Sequence, residues 1–250
     1  FGSRRMTGAV TGIAARGLCL FLLAFAMPAA AQSAAAQDPA PARAGFGTEH
    51  ASADAHRVAD WIVKSGDNLG LPFAIVDKKA AKVFVFNERD EILGVAPALL
   101  GLGHGDDSVP GIGHRRLATI TKEERTTAAG RYEASLGNDL EQDVLWIDYD
   151  AGLSLHRVIV GRPADHRHAR LSSPTPLDNR ISYGCINVPV RFYNTVVAPA
   201  FKGTVGIVYI LPETKPIEAV FAMRESLSAA TAQGPVKASG LAVPAQPPAP

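Results

Sequence analysis

Cysteine is scarce in this chain, which contains only Cys19 and Cys185 among its 250 residues. Two cysteines are too few for the disulfide framework that stabilises many small secreted domains. Cys19 lies in an N-terminal apolar segment that we expect to be removed, which would leave Cys185 without a partner. An unpaired thiol in an oxidising compartment is prone to oxidation and mispairing. Cys185 is therefore predicted to be a nucleophile rather than a structural residue.

The chain is also short of long apolar runs. A helix that spans a bilayer needs about 20 apolar residues, and the run Leu18–Met27 is only about half that length. Arg16 precedes this run and the small residues 28–31 follow it, which is typical of a secretory signal peptide. Residues 1–31 are therefore predicted to be a Sec-type signal that directs the protein to the periplasm. The alternative is an uncleaved helix that anchors the protein in the inner membrane.

Charge of one sign is not in excess, because 25 Lys and Arg stand against 24 Asp and Glu. No run of basic residues follows the predicted signal, so a nucleic acid is not an expected partner. Residues 32–50 and 232–250 are rich in Ala, Gln and Pro and are predicted to be a flexible linker and a disordered tail. Residues 51–212 have the length of one domain with a single core, and a peripheral helix is predicted over 213–231.

Short β-rich runs dominate the middle of the chain. A leading amphipathic helix is predicted over 52–65, and a second helix over 190–201. Strands are predicted over 73–77, 81–86, 91–100, 131–134, 144–149, 153–160 and 204–211. Residues 101–116 and 161–181 are rich in turn-forming residues and are predicted to be long loops that flank a groove. The pattern predicts a mainly β domain, either a closed barrel or a sandwich, with a few peripheral helices.

The segment around Cys185 has features that a reactive thiol requires. Gly184 permits a backbone conformation that turns neighbouring N–H groups toward one point. A helix start predicted soon after Cys185 would favour an anion, since its first N–H groups are free. A cysteine nucleophile also needs a base that removes the thiol proton. The alternative is that Cys185 is a small buried residue near a turn.

The candidate bases all lie upstream of the thiol. The seven histidines precede Cys185, which is opposite to the order in papain-like peptidases. His156 lies between apolar residues on a predicted strand, where it is either a hydrogen-bonded core residue or a base at a strand end. His166 and His168 lie in a polar loop. No metal is expected, because one thiolate and loop histidines lack a recognised ligand spacing.

These residues resemble the L,D-transpeptidase family, periplasmic cysteine enzymes that remodel peptidoglycan. The segment Ser182–Asn187 matches the family's Ser/Thr-His-Gly-Cys-hydrophobic-Asn/Arg pattern except at Tyr183, which replaces a histidine. Residues 75–86 are similar to the family's first hairpin, and 127–132 to its Thr-Pro-x-Gly-x-Phe/Tyr segment. The resemblance extends over about residues 72–212 and implies the family's β-barrel or sandwich-like catalytic domain.

The resemblance implies a base but allows two positions for it. His156 has the strand context of the family's catalytic histidine but lies farther upstream, which would require an insertion over 161–176. His166 has the family's spacing but lies in the polar loop. His156 is the preferred base, because a base must be held rigidly, and His166 is the alternative. Tyr183 is a poor base at neutral pH, since a phenol has a pKa of about 10.

What the resemblance implies is a two-step acyl transfer on tetrapeptide stems of peptidoglycan, without metal or organic cofactor. Cys185 would attack a stem carbonyl and release D-alanine, with His156 as acid and base. Backbone N–H groups at Tyr183, Gly184 and Cys185 would stabilise the oxyanion, with Ser182 supporting them. The side chains that would orient the substrate are Arg131, Asn187 and Arg191. The protein is expected to be a monomer.

Three alternatives remain open at this point. A sortase-like transpeptidase is also β-rich and exported, and Arg191 could serve as its arginine. A domain of the same fold could bind peptidoglycan with little or no turnover. The acyl acceptor is also undecided between the amine of a second stem, a free D-amino acid and water. A shifted Cys185 pKa would separate an enzyme from a binding domain.

Overall fold

Ten strands and a few short helices make up residues 45–139 and 141–223, which are the residues that the computed structural model describes. The strands are β1 (Phe73–Asp77), β2 (Lys82–Phe86), β3 (Ile92–Pro97), β4 (Leu100–Gly101), β5 (Gly130–Asp139), β6 (Gln142–Asp148), β7 (Leu153–Arg157), β8 (Arg180–Ser182), β9 (Ile186–Val188) and β10 (Val205–Ile210). The predicted signal peptide, most of the linker and the predicted tail lie outside these ranges.

Eight of these strands form one mixed sheet in the order β3-β2-β1-β10-β5-β6-β7-β9, and β4 pairs separately with β8. Neighbouring strands in the large sheet are antiparallel except for the pairs β1–β10 and β7–β9. Leu99, just past edge strand β3, pairs with Asn187 of the opposite edge strand β9. The sheet is therefore nearly closed. The prediction of a mainly β domain is confirmed, and the architecture agrees with a barrel or sandwich.

The predicted leading helix is found as α1 (Ala53–Ser65). It begins where the Ser52 side chain accepts a hydrogen bond from the Ala55 N–H, and it ends at Gly66 in the left-handed conformation. One face of α1 packs against β1, β2 and β10 through buried side chains, which are Ala55, Val58, Ala59 and Ile62. Among the described residues, no helix has both the length and the apolar character needed to cross a membrane.

The other helices are short. They are α2 (Arg167–Leu171), α3 (Val190–Phe192), a π-helical turn (Tyr193–Val197), α4 (Ala198–Ala200) and α5 (Ile217–Val220). The second predicted helix, 190–201, corresponds to the run from α3 to α4. The last predicted helix is represented by α5, and its part beyond residue 223 lies outside the described residues.

The central strands are buried on both faces. In β1, Phe73 and Ile75 face α1, whereas Ala74 and Val76 face the inner core. The inner core includes Leu155 of β7 together with residues of β9 and the α3–α4 run. Burying one such large apolar side chain contributes about 1.5–3 kcal/mol. The core therefore fixes β7 and β9 side by side, and this pair of strands carries the candidate site.

Two segments differ from their predicted structure. The expected loop over 161–181 contains α2 and the short strand β8. Cys185 is followed by β9 and not by a helix, because Ile186 and Val188 point into the inner core beside Leu155. Helix α3 begins at Val190, as predicted, so strand β9 lies between Cys185 and the helix N-terminus.

Candidate active site

Cys185 lies in a tight turn between β8 and β9, and this turn requires glycine before the thiol. Gly184 has a φ of 135°, and a Cβ added there would lie 2.8 Å from the Thr126 carbonyl oxygen. The Thr127 hydroxyl donates a hydrogen bond of 2.7 Å to the Gly184 carbonyl and accepts one of 2.9 Å from the Gly101 N–H. The turn is thus held against the segment that precedes β5.

The Ser182 hydroxyl fixes the same turn from inside. It donates to the Cys185 carbonyl at 2.6 Å and accepts from the Gly184 N–H at 3.1 Å. The Gly184 N–H is therefore already bonded, which differs from its predicted role as an oxyanion donor. Of the three predicted donors, the N–H groups of Tyr183 and Cys185 remain.

His156 reaches Cys185 because β7 and β9 are parallel neighbours. His156 lies opposite Asn187 in this pairing, and Ser154 lies on the same face of β7, two residues earlier. The Ser154 hydroxyl donates to Cys185 Sγ at 3.6 Å, and the Cys185 thiol donates to the Gly152 carbonyl at 3.3 Å. His156 lies near enough to the thiol to shift its pKa. His156 Nδ1 lies 2.7 Å from the Arg157 carbonyl, to which it donates, so Nε2 is left as the acceptor.

The Cys185 and His156 pKa values shift toward each other, which favours an ion pair. Burial acts to raise the pKa of the Cys185 thiol, but the hydrogen bond and charge of His156, aided by Ser154, bring it below its usual value. Burial acts to lower the pKa of His156, but the bond and charge of Cys185 and the Arg157 carbonyl raise it. The site can therefore hold a thiolate beside an imidazolium.

Asn187 supports this pair from within the protein. Its Nδ2 donates to the Cys185 carbonyl at 3.2 Å and lies 3.5 Å from His156 Nε2. Its Oδ1 accepts a hydrogen bond of 3.0 Å from Arg167 Nη1. Because Asn187 is only 1% exposed, it contacts protein groups, which differs from its predicted role in orienting substrate.

The other predicted residues lie away from the thiol. His166 is exposed at the start of α2, so the structure brings His156 and not His166 to Cys185. Arg131 donates to Asp67 at 2.6 Å on the α1 side of the sheet, which leaves it unsuited to the predicted substrate contact. Arg191 is exposed on α3 and does not line the cavity beside Cys185.

A cavity of about 110 Å³ lies beside Cys185, Tyr183 and Gly184. Its opposite wall comes from residues 107–126, which we call the cover loop. The cover-loop side chains that line the cavity include Ile112, Arg115, Leu117 and Ile120. The Arg125 guanidinium lies 3.9 Å from the centre of the Tyr183 ring, a cation–π contact between the cover loop and the turn.

A buried ion cluster holds the base of the cover loop. Lys78 Nζ, with a fully buried side chain, donates to Asp106 at 2.7 Å and to the Thr127 carbonyl at 2.9 Å. Asp106 also accepts three backbone N–H bonds, from residues 213–215. Thr127 links this cluster to the turn that carries Cys185, because its carbonyl contacts Lys78 and its hydroxyl contacts Gly184.

In the described part of the chain, no group of three or more His, Cys, Asp or Glu is arranged to hold a metal ion.

No sequence profile of a known protein family matches this chain, and no curated protein matches it either.

Three residues at the site were missed by the sequence analysis: Ser154, Thr127 and Arg167. Ser154 carried a usable signal, because alternate residues of a strand share a face and Ser154 is two residues from His156. Thr127 begins the segment 127–132 that the sequence analysis singled out, but nothing in that segment indicated its contact with Gly184. Arg167 carried no signal, because the path of the segment between β7 and β8 depends on the folded core.

Proposed function

We propose that this protein is a cysteine acyltransferase of the L,D-transpeptidase type, which acts on tetrapeptide stems of peptidoglycan in the periplasm. The observation that carries the proposal is the placement of His156 beside Cys185, on neighbouring parallel strands, with the thiol lining a cavity. The lowered pKa of the thiol favours the thiolate, which is the nucleophilic form. The substrate class comes from the resemblance of Ser182–Asn187 to that family.

The first half of the reaction forms a thioester. His156 Nε2 takes the thiol proton, and Cys185 Sγ attacks the carbonyl carbon of the diamino-acid residue in the stem. The oxyanion that forms accepts hydrogen bonds from the N–H groups of Tyr183 and Cys185. The intermediate then breaks its C–N bond, and the departing D-alanine amine takes the proton from His156.

The second half of the reaction cleaves the thioester and regenerates the free Cys185 thiolate. The amine of another stem attacks the thioester carbonyl and loses a proton to His156. The C–S bond breaks, which leaves a 3–3 cross-link and frees Cys185. A free D-amino acid or water in place of the second stem would give exchange or hydrolysis by the same steps.

A second candidate function is a peptidoglycan-binding domain with little turnover. The cavity of about 110 Å³ is smaller than the ~300–1,000 Å³ of typical ligand sites. The cover loop must therefore move before a stem can reach the thiol, and a loop that stayed closed would block turnover. The sortase-like alternative has less support, since Arg191 is absent from the cavity wall.

The decisive experiment is intact-protein mass spectrometry of the protein without residues 1–31, incubated with tetrapeptide muropeptides. We expect an acyl adduct and stoichiometric release of D-alanine, both lost in Cys185→Ala. The fate of the acyl group then identifies the acceptor. A folded protein that forms no adduct and releases no D-alanine would contradict the proposal and favour the binding domain.

A further inference from the structure

Arg167 is the first residue of α2, in the segment that joins β7 to β8. Its guanidinium is largely enclosed, with the side chain only 14% exposed. Nη1 donates to Asn187 Oδ1 at 3.0 Å, and Nε lies 3.5 Å from Asp165 Oδ2 without forming a hydrogen bond. A Cβ at Gly161 would lie 3.0 Å from Arg167 Nε, so glycine leaves room for the guanidinium.

The contacts with Arg167 and with the Cys185 carbonyl together decide which end of the Asn187 amide faces His156. A guanidinium has donors only, so it pairs with the amide oxygen and turns the NH₂ group away from itself. That NH₂ group meets the Cys185 carbonyl at 3.2 Å and His156 Nε2 at 3.5 Å. An NH₂ group beside Nε2 favours the ring form in which Nε2 carries a lone pair, and this form accepts the thiol proton.

We propose that Arg167 is a positioning residue for the Cys185–His156 pair, which acts by holding the Asn187 side chain in one orientation. Without Arg167 only the Cys185 carbonyl orients the amide, which can then rotate and place its oxygen beside His156 Nε2. Because Nδ1 already donates to the Arg157 carbonyl, that oxygen would favour the imidazolium, and with it the thiolate of Cys185. The inference rests on the proposed function for its catalytic meaning.

The charge of Arg167 acts on His156 in the same direction as the Asn187 NH₂ group, toward the neutral ring. Among the residues that the structure describes, Cys185 and Arg167 are the charged or titratable groups that act on the ring, and the Arg157 carbonyl accepts from Nδ1. Burial has the largest effect on the pKa of His156, and Arg167 also acts to lower it. The Arg157 guanidinium is directed elsewhere, to Asp143 and Asn194.

The test uses Arg167→Met, which removes all donors but keeps much of the apolar stem. The matched control is Arg162→Met, because Arg162 pairs with the same Asp165 but is 87% exposed. The rate of Cys185 alkylation by iodoacetamide is measured against pH, so that the readout needs no peptidoglycan. D-alanine release from tetrapeptide muropeptides is measured in parallel.

We expect Arg167→Met to alkylate several-fold faster at neutral pH, because the imidazolium, and with it the Cys185 thiolate, is then no longer opposed by the Arg167 charge or by the amide NH₂ group. Its alkylation profile should shift to lower pH, and Arg162→Met should match the wild type. Arg167→Lys, which keeps the charge but not the planar fork, should change less. If Arg167→Met does not fold, the comparison of Arg167→Lys with Arg162→Lys decides.

A folded Arg167→Met protein with the wild-type profile would overturn the inference, even if its melting temperature fell. An equal change of the alkylation rate in Arg162→Met would also overturn the inference, since it would show that the effect comes from the segment as a whole. If Arg167→Lys is the deciding variant, a wild-type profile overturns the inference. Loss of D-alanine release in every protein, with the alkylation shift intact, would instead reject the proposed function and leave the positioning role in place.

Discussion

The reactivity of Cys185 depends on a small number of side-chain contacts. Burial alone would raise the pKa of the thiol and leave it inert at neutral pH. His156 and Ser154, both on β7, reverse that shift by bonding to the sulfur. The same turn needs Gly184, because its positive φ and its approach to Thr126 exclude a Cβ. The lowered pKa of the thiol is therefore a property of the contacts and not of the Gly-Cys sequence alone.

Replacing His156 should raise the pKa of the Cys185 thiol. The wild-type thiol has a lowered pKa, so its alkylation by iodoacetamide should persist below the usual thiol pKa of 9.0. In His156→Ala the rate should rise only at higher pH than in the wild type, since burial would then dominate. Alkylation followed by mass spectrometry between about pH 5 and 10 measures both profiles.

The matched control is His166→Ala, because His166 is exposed and lies outside the site. This variant should keep the wild-type profile. A loss in His166→Ala with a normal profile in His156→Ala would reverse the assignment of the base.

The cover loop is the element that decides access to the thiol. It packs closely on the turn between β6 and β7, where a Cβ at Gly113 would lie 2.4 Å from the Asp150 carbonyl. Arg125 links the loop to Tyr183 and also donates to the Ile120 carbonyl within the loop. Tyr183 thus serves as a contact surface for the loop.

Loss of the Arg125–Tyr183 contact should open the cover loop more often. In Arg125→Ala we expect a bulky maleimide to label Cys185 about two- to fivefold faster, which corresponds to the ~0.5–1 kcal/mol of an exposed cation–π contact. Labelling by the smaller iodoacetamide should change less. Arg116→Ala, an exposed neighbour in the same loop, is the control. Equal acceleration in both variants would show that the Tyr183 contact does not hold the loop.

The stability of the whole domain should depend strongly on the buried cluster around Lys78. In Lys78→Met, Asp106 loses a buried partner, which should lower the free energy of unfolding by about 3–5 kcal/mol. Lys79→Met removes a partly exposed pair with Asp54 and should cost only ~0–1 kcal/mol. Urea unfolding followed by circular dichroism measures both, and similar losses would contradict a stabilising role for the buried pair.

The same cluster gives the stability a pH dependence. Burial acts to raise the pKa of Asp106 and of Glu213, but their hydrogen bonds and the nearby cations bring both below their usual values of 3.8 and 4.5. A carboxyl with a lowered folded-state pKa stabilises the protein above its usual pKa. This contribution should therefore be lost as the pH falls below about 4.5, and Lys78→Met should make the loss shallower.

Several features could be predicted from the chain because they depend on neighbours in sequence. The alternation of apolar and polar residues predicted the β-rich domain, and the helical spacing of apolar residues after Ser52 predicted α1. Strand context favoured His156 over His166 as the base, and the structure brings His156 to the thiol. The insertion between β7 and β8 was expected as a loop, but α2 within it depends on contacts that short-range patterns do not encode.

The amino-acid sequence was sufficient to identify Cys185 as a candidate nucleophile and the domain as mainly β, because isolation of a thiol and period-two patterning are properties of the chain itself. The folded protein alone shows that the Gly184 N–H is bonded to Ser182, that Arg131 pairs with Asp67, and that Arg167 reaches Asn187. The physical reason is that each role depends on which partner satisfies a charge or hydrogen-bonding group. When those partners are distant in sequence, the packing of the strands determines which of them come within reach.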